Sequence, residues 1–454
     1  MKLNFTFCAI TAFCLLNTQV LHSQSLTQIY DLAKTNDLQY QANIAQFNAN
    51  KEIEAISRGS LLPQISGNMS YGTAETDTTT TSTLNFAPSV DSNGNSTTDT
   101  LSYSLSLEQA LINFSALNTY RSGKIQAAAA EVQLAADKQS LIIRSAQAYF
   151  DVLSATDQLK TSQSEEKALE TQLEQTRQRY EVGLISINDV HEAQANFDNT
   201  VAQDIITDNV VELRLEQMRE ITGKYHDKLS VLNTENFSAT RPSPEGVDNW
   251  LKIAEQKNLD LMVRSFSKDI AKDDIASAKA GHYPTLSLNG SYGRNDTKIN
   301  GNGNFPARDN NSIGLNLSIP IYSGGAVSAQ TTQARYRFVA ASEDLELAYR
   351  STVRSVRSAY NDVIASTSTI RALQQAVVSA DSALKATEAG FDVGTRTIVD
   401  VLNSTRNQFD ARQKLASARY DFISAILDLK RASGNLTEQD LVDINRGLMP
   451  DKVS

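Results

Sequence analysis

The sequence predicts a mainly α-helical chain that contributes four β-strands to a membrane barrel it cannot close alone, with one structural unit used twice. Three observations carry this expectation: an internal repeat, four stretches in which apolar and polar residues alternate, and two proline-free runs of about sixty residues each.

The repeat is read from three matches in the same order. SLLPQISGNMSYG around Pro63 matches AGHYPTLSLNGSYG around Pro284, and Leu38 and Leu259 keep the same displacement of 221 residues. SYSLSLEQALINFSA from Ser102 matches SIGLNLSIPIYSGGA from Ser312, where Leu105 and Leu315 are 210 apart, so the loop of the first copy is longer. YEVGLISINDV from Tyr180 matches FDVGTRTIVDV from Phe391, and the copies close with ITGKY at Gly223 and ASGNL at Gly434.

The chain begins as a secretory signal begins. Lys2 precedes an apolar run from Phe5 to Leu16 and a small-residue end near Ser23, which sets residues 1–23 aside as a signal peptide. Both cysteines, Cys8 and Cys14, fall inside it, so the mature chain is expected to carry no thiol, disulfide or thiolate metal site. Phe7 and Phe13 stand where a lipoprotein cleavage site needs a small residue, which speaks against a lipid anchor.

The first repeat is expected over 24–228, with strands at about 63–73 and 101–113 and long helices at about 117–181 and 187–222. In its first strand Ile65, Gly67, Met69 and Tyr71 alternate with Ser66, Asn68 and Ser70; in its second Tyr103, Leu105 and Leu107 alternate with Ser104, Ser106 and Glu108. The second repeat is expected over 247–436, with strands at about 284–294 and 311–322 and helices at about 326–390 and 397–434. There Leu286, Leu288, Gly290 and Tyr292 alternate with polar residues, as do Ile313, Leu315, Leu317, Ile319 and Ile321. Between the strands, TAETDTTTTSTLNFAPSVDSNGNSTTDT and RNDTKINGNGNFPARDNN are expected as solvated loop tips. A linker, 229–246, and a C-terminal segment, 437–454, complete the chain.

Alternation alone also suits a soluble sandwich with one face buried. Number favours the membrane: four strands are too few to close a barrel, and an open sheet edge in lipid leaves backbone groups unpaired. Several chains must then share one barrel, and three would give twelve strands. No stretch approaches the roughly 18 apolar residues of a membrane helix.

A helix of sixty residues rises roughly 90 Å. In the second copy Tyr349, Val356, Val363, Ile370, Val377, Leu384 and Phe391 recur every seven residues, the seam of a coiled coil. Val152, Leu159, Leu173 and Tyr180 repeat that spacing in the first copy, with Glu166 interrupting.

The turns between the long helices each place Gly after Val, where a left-handed cap can end a helix, and the next helix opens with Ser186 and Asp189 or with Thr397 and Asp400. Capping accounts for both aspartates. A second role is open to Asp400: copied around an axis, it would form an acidic ring that attracts cations, with uncharged Asn403 one turn later. Arg396 is either solvated or ties neighbouring helices together through Asp189, and Phe391, by its heptad place, packs.

A net charge of -10, or about -11 without Lys2, argues against a nucleic-acid partner. His191, His226 and His282 show neither metal spacing nor a nucleophile partner, so neither an enzyme, a metal site nor a cofactor is expected. The remaining alternative is an outer-membrane coiled-coil stalk or adhesin, which needs neither duplicated strand pairs nor turns at the far end of both helix pairs.

From about Ser25 to about Leu448 the chain closely resembles the TolC family of outer-membrane efflux channels, on EAGFDVGTRTIVDVL, QAVVSA, LNTENF, REITGKY and SLLPQ, in order and spacing. The resemblance implies a homotrimer with a twelve-stranded β-barrel in outer-membrane lipid, a helical barrel crossing the periplasm, and a small equatorial domain from the linker and C-terminal segment. It implies a non-catalytic exit duct that joins a periplasmic adaptor and an inner-membrane transporter in tripartite efflux and type I secretion, expelling drugs, bile salts or proteins. It implies gating links at Gln172, Asn188, Asp189, Glu388, Phe391 and Arg396, and adaptor contacts at the turns Val182, Gly183 and Leu184 and Val393, Gly394 and Thr395. Two departures stand out: Phe391 replaces the family tyrosine, and Asn403 replaces a second acid.

Overall fold

A computed structural model describes residues 23–82, 90–226, 228–300 and 303–450. Of residues 78–82, 90–94, 303 and 304 it describes the backbone alone, and the expected signal segment lies outside the described residues except for Ser23. In chain order the elements are α1 (Leu26–Asn36), α2 (Leu38–Gly59), β1 (Gln64–Ser82), β2 (Val90–Ile112), α3 (Phe114–Glu181), α4 (Ile187–Thr222), β3 (Val231–Leu232), α5 (Val247–Lys257), α6 (Leu259–Lys279), β4 (Thr285–Ile299), β5 (Gly303–Asn304), β6 (Arg308–Ser318), α7 (Ala326–Asp392), α8 (Ile398–Ala432), α9 (Glu438–Asn445) and β7 (Leu448–Met449). Helices α3 and α7, at 68 and 67 residues, are each roughly 100 Å long at 1.5 Å per residue.

The chain divides into two compact units. One comprises Ala42–Asp137 and Glu255–Arg354 and holds the large sheet. Its antiparallel ladder runs β1-β2-β4-β6, with the short β5 pairing beyond β6 on β4. β1 pairs β2 from Gln64↔Glu108 to Ser82↔Val90. The threonine-rich stretch expected as a loop is therefore largely strand, because β-branched residues favour extended backbone and cross-strand bonds such as Thr73 Oγ1 to Asp99 (2.8 Å) hold the ladder. The second hairpin tip is shorter than expected in the same way, since Arg294 and Asn295 pair with Asp309 and Arg308. β6 stops at Ser318, before the Ile319 and Ile321 expected in it, because Pro320 has no N–H to give the ladder.

Registered partners share a face, and the register sorts the sheet into two chemistries. Ile65, Leu107, Gly290 and Ile313 form one transverse row, and Leu288 faces Leu315 beside it. The adjacent row on the other face is Ser66, Ser106, Ser291 and Ser312, with Oγ to Oγ distances of 2.6 Å for Ser66 to Ser106 and 2.7 Å for Ser291 to Ser312. The apolar face is bare: Ile313 is 80% exposed and Ile65 69%. Among the described residues nothing pairs the outer edges of β1 and β6. In the same unit α2 and α3 approach closely, since a Cβ on Gly123 would run into Ser57 and the Ile53 carbonyl.

The other unit comprises Met1–Gln41, Lys138–Ala254 and Ser355–Ser454. The α7 seam forms its core: Val356, Val363 and Ile370 are buried with Trp250, Ala418, Phe422 and Leu429. A second cluster nearer the helix turns joins Leu169, Leu173, Ala193, Leu384, Ile398, Val401 and Leu402. Within the α3 seam Val152 and Leu173 are buried while Tyr180 is exposed. The linker and the C-terminal segment meet in a two-stranded sheet, Val231↔Met449 and Leu232↔Leu448. Helix α1 docks through Leu26, Ile29, Tyr30 and Ala33, and Arg144 pairs with the buried Asp37 at 2.6 Å. The Tyr149 hydroxyl donates to the Ser230 carbonyl at 2.7 Å.

A mainly α-helical, internally duplicated chain with a small share of strands is thus the observed fold class, as expected. No described helix is long and apolar enough to cross a membrane.

Candidate functional site at the helix turns

The two helix pairs end in turns of one design. After α3, Gly183 takes φ +79°, its N–H donates to the Tyr180 carbonyl, and Leu184 N–H donates to that of Arg179, both at 2.9 Å. After α7, Gly394 takes φ +78°, its N–H donates to the Phe391 carbonyl at 3.0 Å, and Thr395 N–H donates to Gly390 at 2.8 Å. Left-handed glycine lets the last carbonyls find donors, which ends each helix within one turn. Val182, Leu184 and Val393, apolar though they are, stand more than 70% exposed at the tips.

Each following helix opens on a reciprocal cap. Asp189 Oδ2 accepts from the Ser186 N–H and hydroxyl, both at 2.9 Å, and Asp400 Oδ2 accepts from the Thr397 N–H and hydroxyl, both at 2.9 Å. The Thr397 backbone bond, then its hydroxyl, hold the Asp400 carboxyl below the ordinary carboxylate range, and Arg396 adds to this. Capping is therefore realised for both acids. Asn403, one turn beyond Asp400, is exposed.

The remaining expected residues are scattered over the same end. Gln172 is half-buried in α3, while Asn188 and Glu388 are exposed. Phe391 packs against the Leu169–Leu402 cluster, and Arg396 folds back so closely that a Cβ on Gly390 would come within 2.8 Å of its Cγ. Among the described residues no ion pair or hydrogen bond joins Arg396 to Asp189 within the chain.

The links that do hold the helices together were not singled out from the sequence. Arg179 donates to Asp392 Oδ1 at 2.6 Å and lies 4.6 Å from the centre of the Phe391 ring. Arg406 donates to Asn196 Oδ1 at 2.8 Å, joining α8 to α4. Asp381 accepts from Gln408 (2.8 Å) and Arg412 (3.0 Å), and those bonds hold its carboxyl below the usual range. A signal was present: Arg179 and Asp392 occupy the last turns of α3 and α7, beside the paired motifs at Tyr180 and Phe391. No group of acids, histidines or cysteines able to hold a metal occurs among the described residues.

The family described as outer membrane efflux protein matches residues 29–224 and 250–435, two segments whose starts lie 221 residues apart, the displacement of the internal repeat. The chain belongs to this family. It is accordingly an outer-membrane efflux channel protein that extends into the periplasm. The outer membrane protein TolC of Vibrio cholerae serotype O1 is 43% identical over 94% of both chains, and that of Escherichia coli K12 is 40% identical over 94% of this chain and 85% of its own. The alkaline protease secretion protein AprF of Pseudomonas aeruginosa is 29% identical, covering 95% of this chain and 88% of its own. Among solved structures, a membrane protein from Pseudomonas aeruginosa superimposes with a TM-score of 0.75 at 18% identity over 92% of each chain. The outer membrane protein VceC from Vibrio cholerae gives 0.70 at 17% identity, covering 90% of this chain and 96% of its own. These share the fold of this efflux protein. Family membership decides against the stalk without transport.

Proposed function

We propose that three copies of the chain close a twelve-stranded barrel in outer-membrane lipid and continue as a helical duct, a passive exit for small molecules and secreted proteins without catalysis of its own. The observation that carries this is the sheet: two edge strands, β1 and β6, that no described residue pairs, and one apolar face left bare. Backbone groups in lipid must pair, and a sister subunit's β1 beside β6 satisfies both edges at once. Relatives named for protease secretion support a role in type I secretion beside efflux.

At the periplasmic end the turns of Val182, Gly183 and Leu184 and of Val393, Gly394 and Thr395 meet a periplasmic adaptor, which couples the duct to an inner-membrane transporter. Their exposed apolar side chains favour this over simple solvation. Asp400, repeated about the axis, forms a single acidic ring, and Asn403 adds no second charge. Gln172, Asn188, Asp189, Glu388, Phe391 and Arg396 take part in the links that hold the entrance shut. Phe391 offers no hydroxyl, so its hold comes from packing and from Arg179.

The test is purified full-length protein in a planar bilayer, with cross-linking in detergent beside it. Discrete conductance from a cross-linkable trimer is expected. A water-soluble monomer that forms no pores would remove the proposal.

A further inference from the structure

Two cavities flank the first turns of α7. Gln330, Gln333, Ala334 and Arg337 line one together with Asp274 and Ser277, and Ser328, Thr331, Thr332 and Arg335 line the other. Each set follows helical spacing, and the two are offset by two residues, about 200° around the helix, so the cavities lie on opposite sides of it. The first mixes an acid with amides and a cation. The second, about 420 Å³, is completed by Lys279, His282 and Tyr283 and has no carboxylate in its lining.

Lys279 and Arg335 are exposed, and among the described residues neither has an ion-pair partner. Like charges gathered without counter-charge repel one another and gain when an anion enters. The place in the fold says which anion. Lys279 ends α6, and Leu286, six positions beyond the first residue of the short helical turn at Ala280, already lies in the apolar face of β4. Tyr283 meets Phe114 edge to face at 5.5 Å, both rings partly exposed, an aromatic pair at the level where strands begin.

We propose that this basic cavity binds the phosphate of an anionic glycerophospholipid headgroup in the leaflet that meets the start of the strands. Arg335 supplies a planar fork and Lys279 a point charge, while the Ser328 hydroxyl donates a hydrogen bond; the Thr332 hydroxyl is already given to the Ser328 carbonyl at 3.0 Å. A free anion would have no use for the neighbouring aromatic pair and apolar face, which favour a lipid as the source of the phosphate. The inference rests on the outer-membrane reading above.

Native mass spectrometry of the full-length protein from mixed micelles of phosphatidylglycerol and phosphatidylcholine tests it, with planar-bilayer conductance measured on the same samples. The wild type should retain phosphatidylglycerol in preference, and the Lys279→Ala/Arg335→Ala variant should lose that preference on the order of tenfold while still conducting. Arg337→Ala, in the opposite cavity, should keep it, and millimolar inorganic phosphate should not displace the lipid. A conducting wild type without the preference, a preference that survives the double substitution, or displacement by phosphate would each overturn the lipid site alone. A wild type that does not conduct would overturn the channel reading, and this site with it.

Discussion

Arg179 closes the last turn of α3 onto the last turn of α7: its guanidinium donates to Asp392 Oδ1 at 2.6 Å and covers the Phe391 ring at 4.6 Å from the centroid. One side chain thus spans the two helix pairs just before their turns. Asp392 is largely exposed, so the ion pair alone is weak; the ring contact adds to it, and together they contribute on the order of 1 kcal/mol. If the proposed duct opens by parting of the coiled coils, Arg179→Ala is expected to raise open probability in a planar bilayer about fivefold. Asp392→Asn should do less, since it leaves the ring contact. An unchanged open probability in Arg179→Ala would show that the contact bears no load in gating.

Asp189 and Asp400 accept the same cap bonds at the same distances, which lets one serve as control for the other. Asp400→Ala is expected to abolish block by trivalent cations and leave export near normal, whereas Asp189→Ala, losing an equivalent cap, should keep the block. If both variants are blocked as the wild type is, the ring idea fails. The Thr397 cap bonds hold the Asp400 carboxyl below the ordinary range, which favours its ionised form as pH falls. The block should accordingly persist to lower pH than an unbonded carboxylate would allow.

The repeat, the long helices and the caps were legible because each rests on local pattern: a proline-free heptad run, a glycine after valine, a hydroxyl three residues before an acid. The extent of the hairpins was not, since Thr78 to Thr81 look polar in a sequence yet are β-branched, and the cross-strand register decides between tip and ladder. Ile319 and Ile321 kept the right alternation, but Pro320 between them ends the pairing. At the site, the one link between helices that the sequence offered, Arg396 to Asp189, is not made within the chain among the described residues. Arg179 with Asp392, 213 positions apart, could not be paired from spacing along the chain.

Glu438 gathers three donors: Tyr30 at 2.8 Å, Lys34 at 3.1 Å and Lys138 at 3.0 Å, tying α9 to α1 and α3. Burial pushes its carboxyl up, but the bonds from Lys138, Tyr30 and Lys34 outweigh this and bring it down to about 2. The folded value lies below the unfolded one, so the stabilisation is fully present above about pH 4.5 and is lost as pH falls through about 2. The side chains are about 40% exposed, which discounts the cluster to about 1 kcal/mol. Thermal unfolding followed by helix signal should show Glu438→Gln destabilised at neutral pH and converging on the wild type in acid. Parallel curves across that range would mean the cluster adds nothing.

Gly183 and Gly394 sit at φ near +79° with open space around them, so no side chain would collide there and only backbone strain opposes substitution. Strain of a non-glycine residue in the left-handed region costs about 1 kcal/mol, too little to unfold a turn held by 36- and 35-residue helices beyond it. Gly183→Leu and Gly394→Leu should therefore leave trimer yield and bilayer conductance unchanged. What they change is the shape of the exposed tip beside Val182 and Val393. If those tips dock an adaptor, drug tolerance of cells carrying either variant should fall toward that of a strain lacking the gene, while adaptor cross-linking falls in step. Full tolerance with a bulky residue at both glycines would place the adaptor contact elsewhere on the helices.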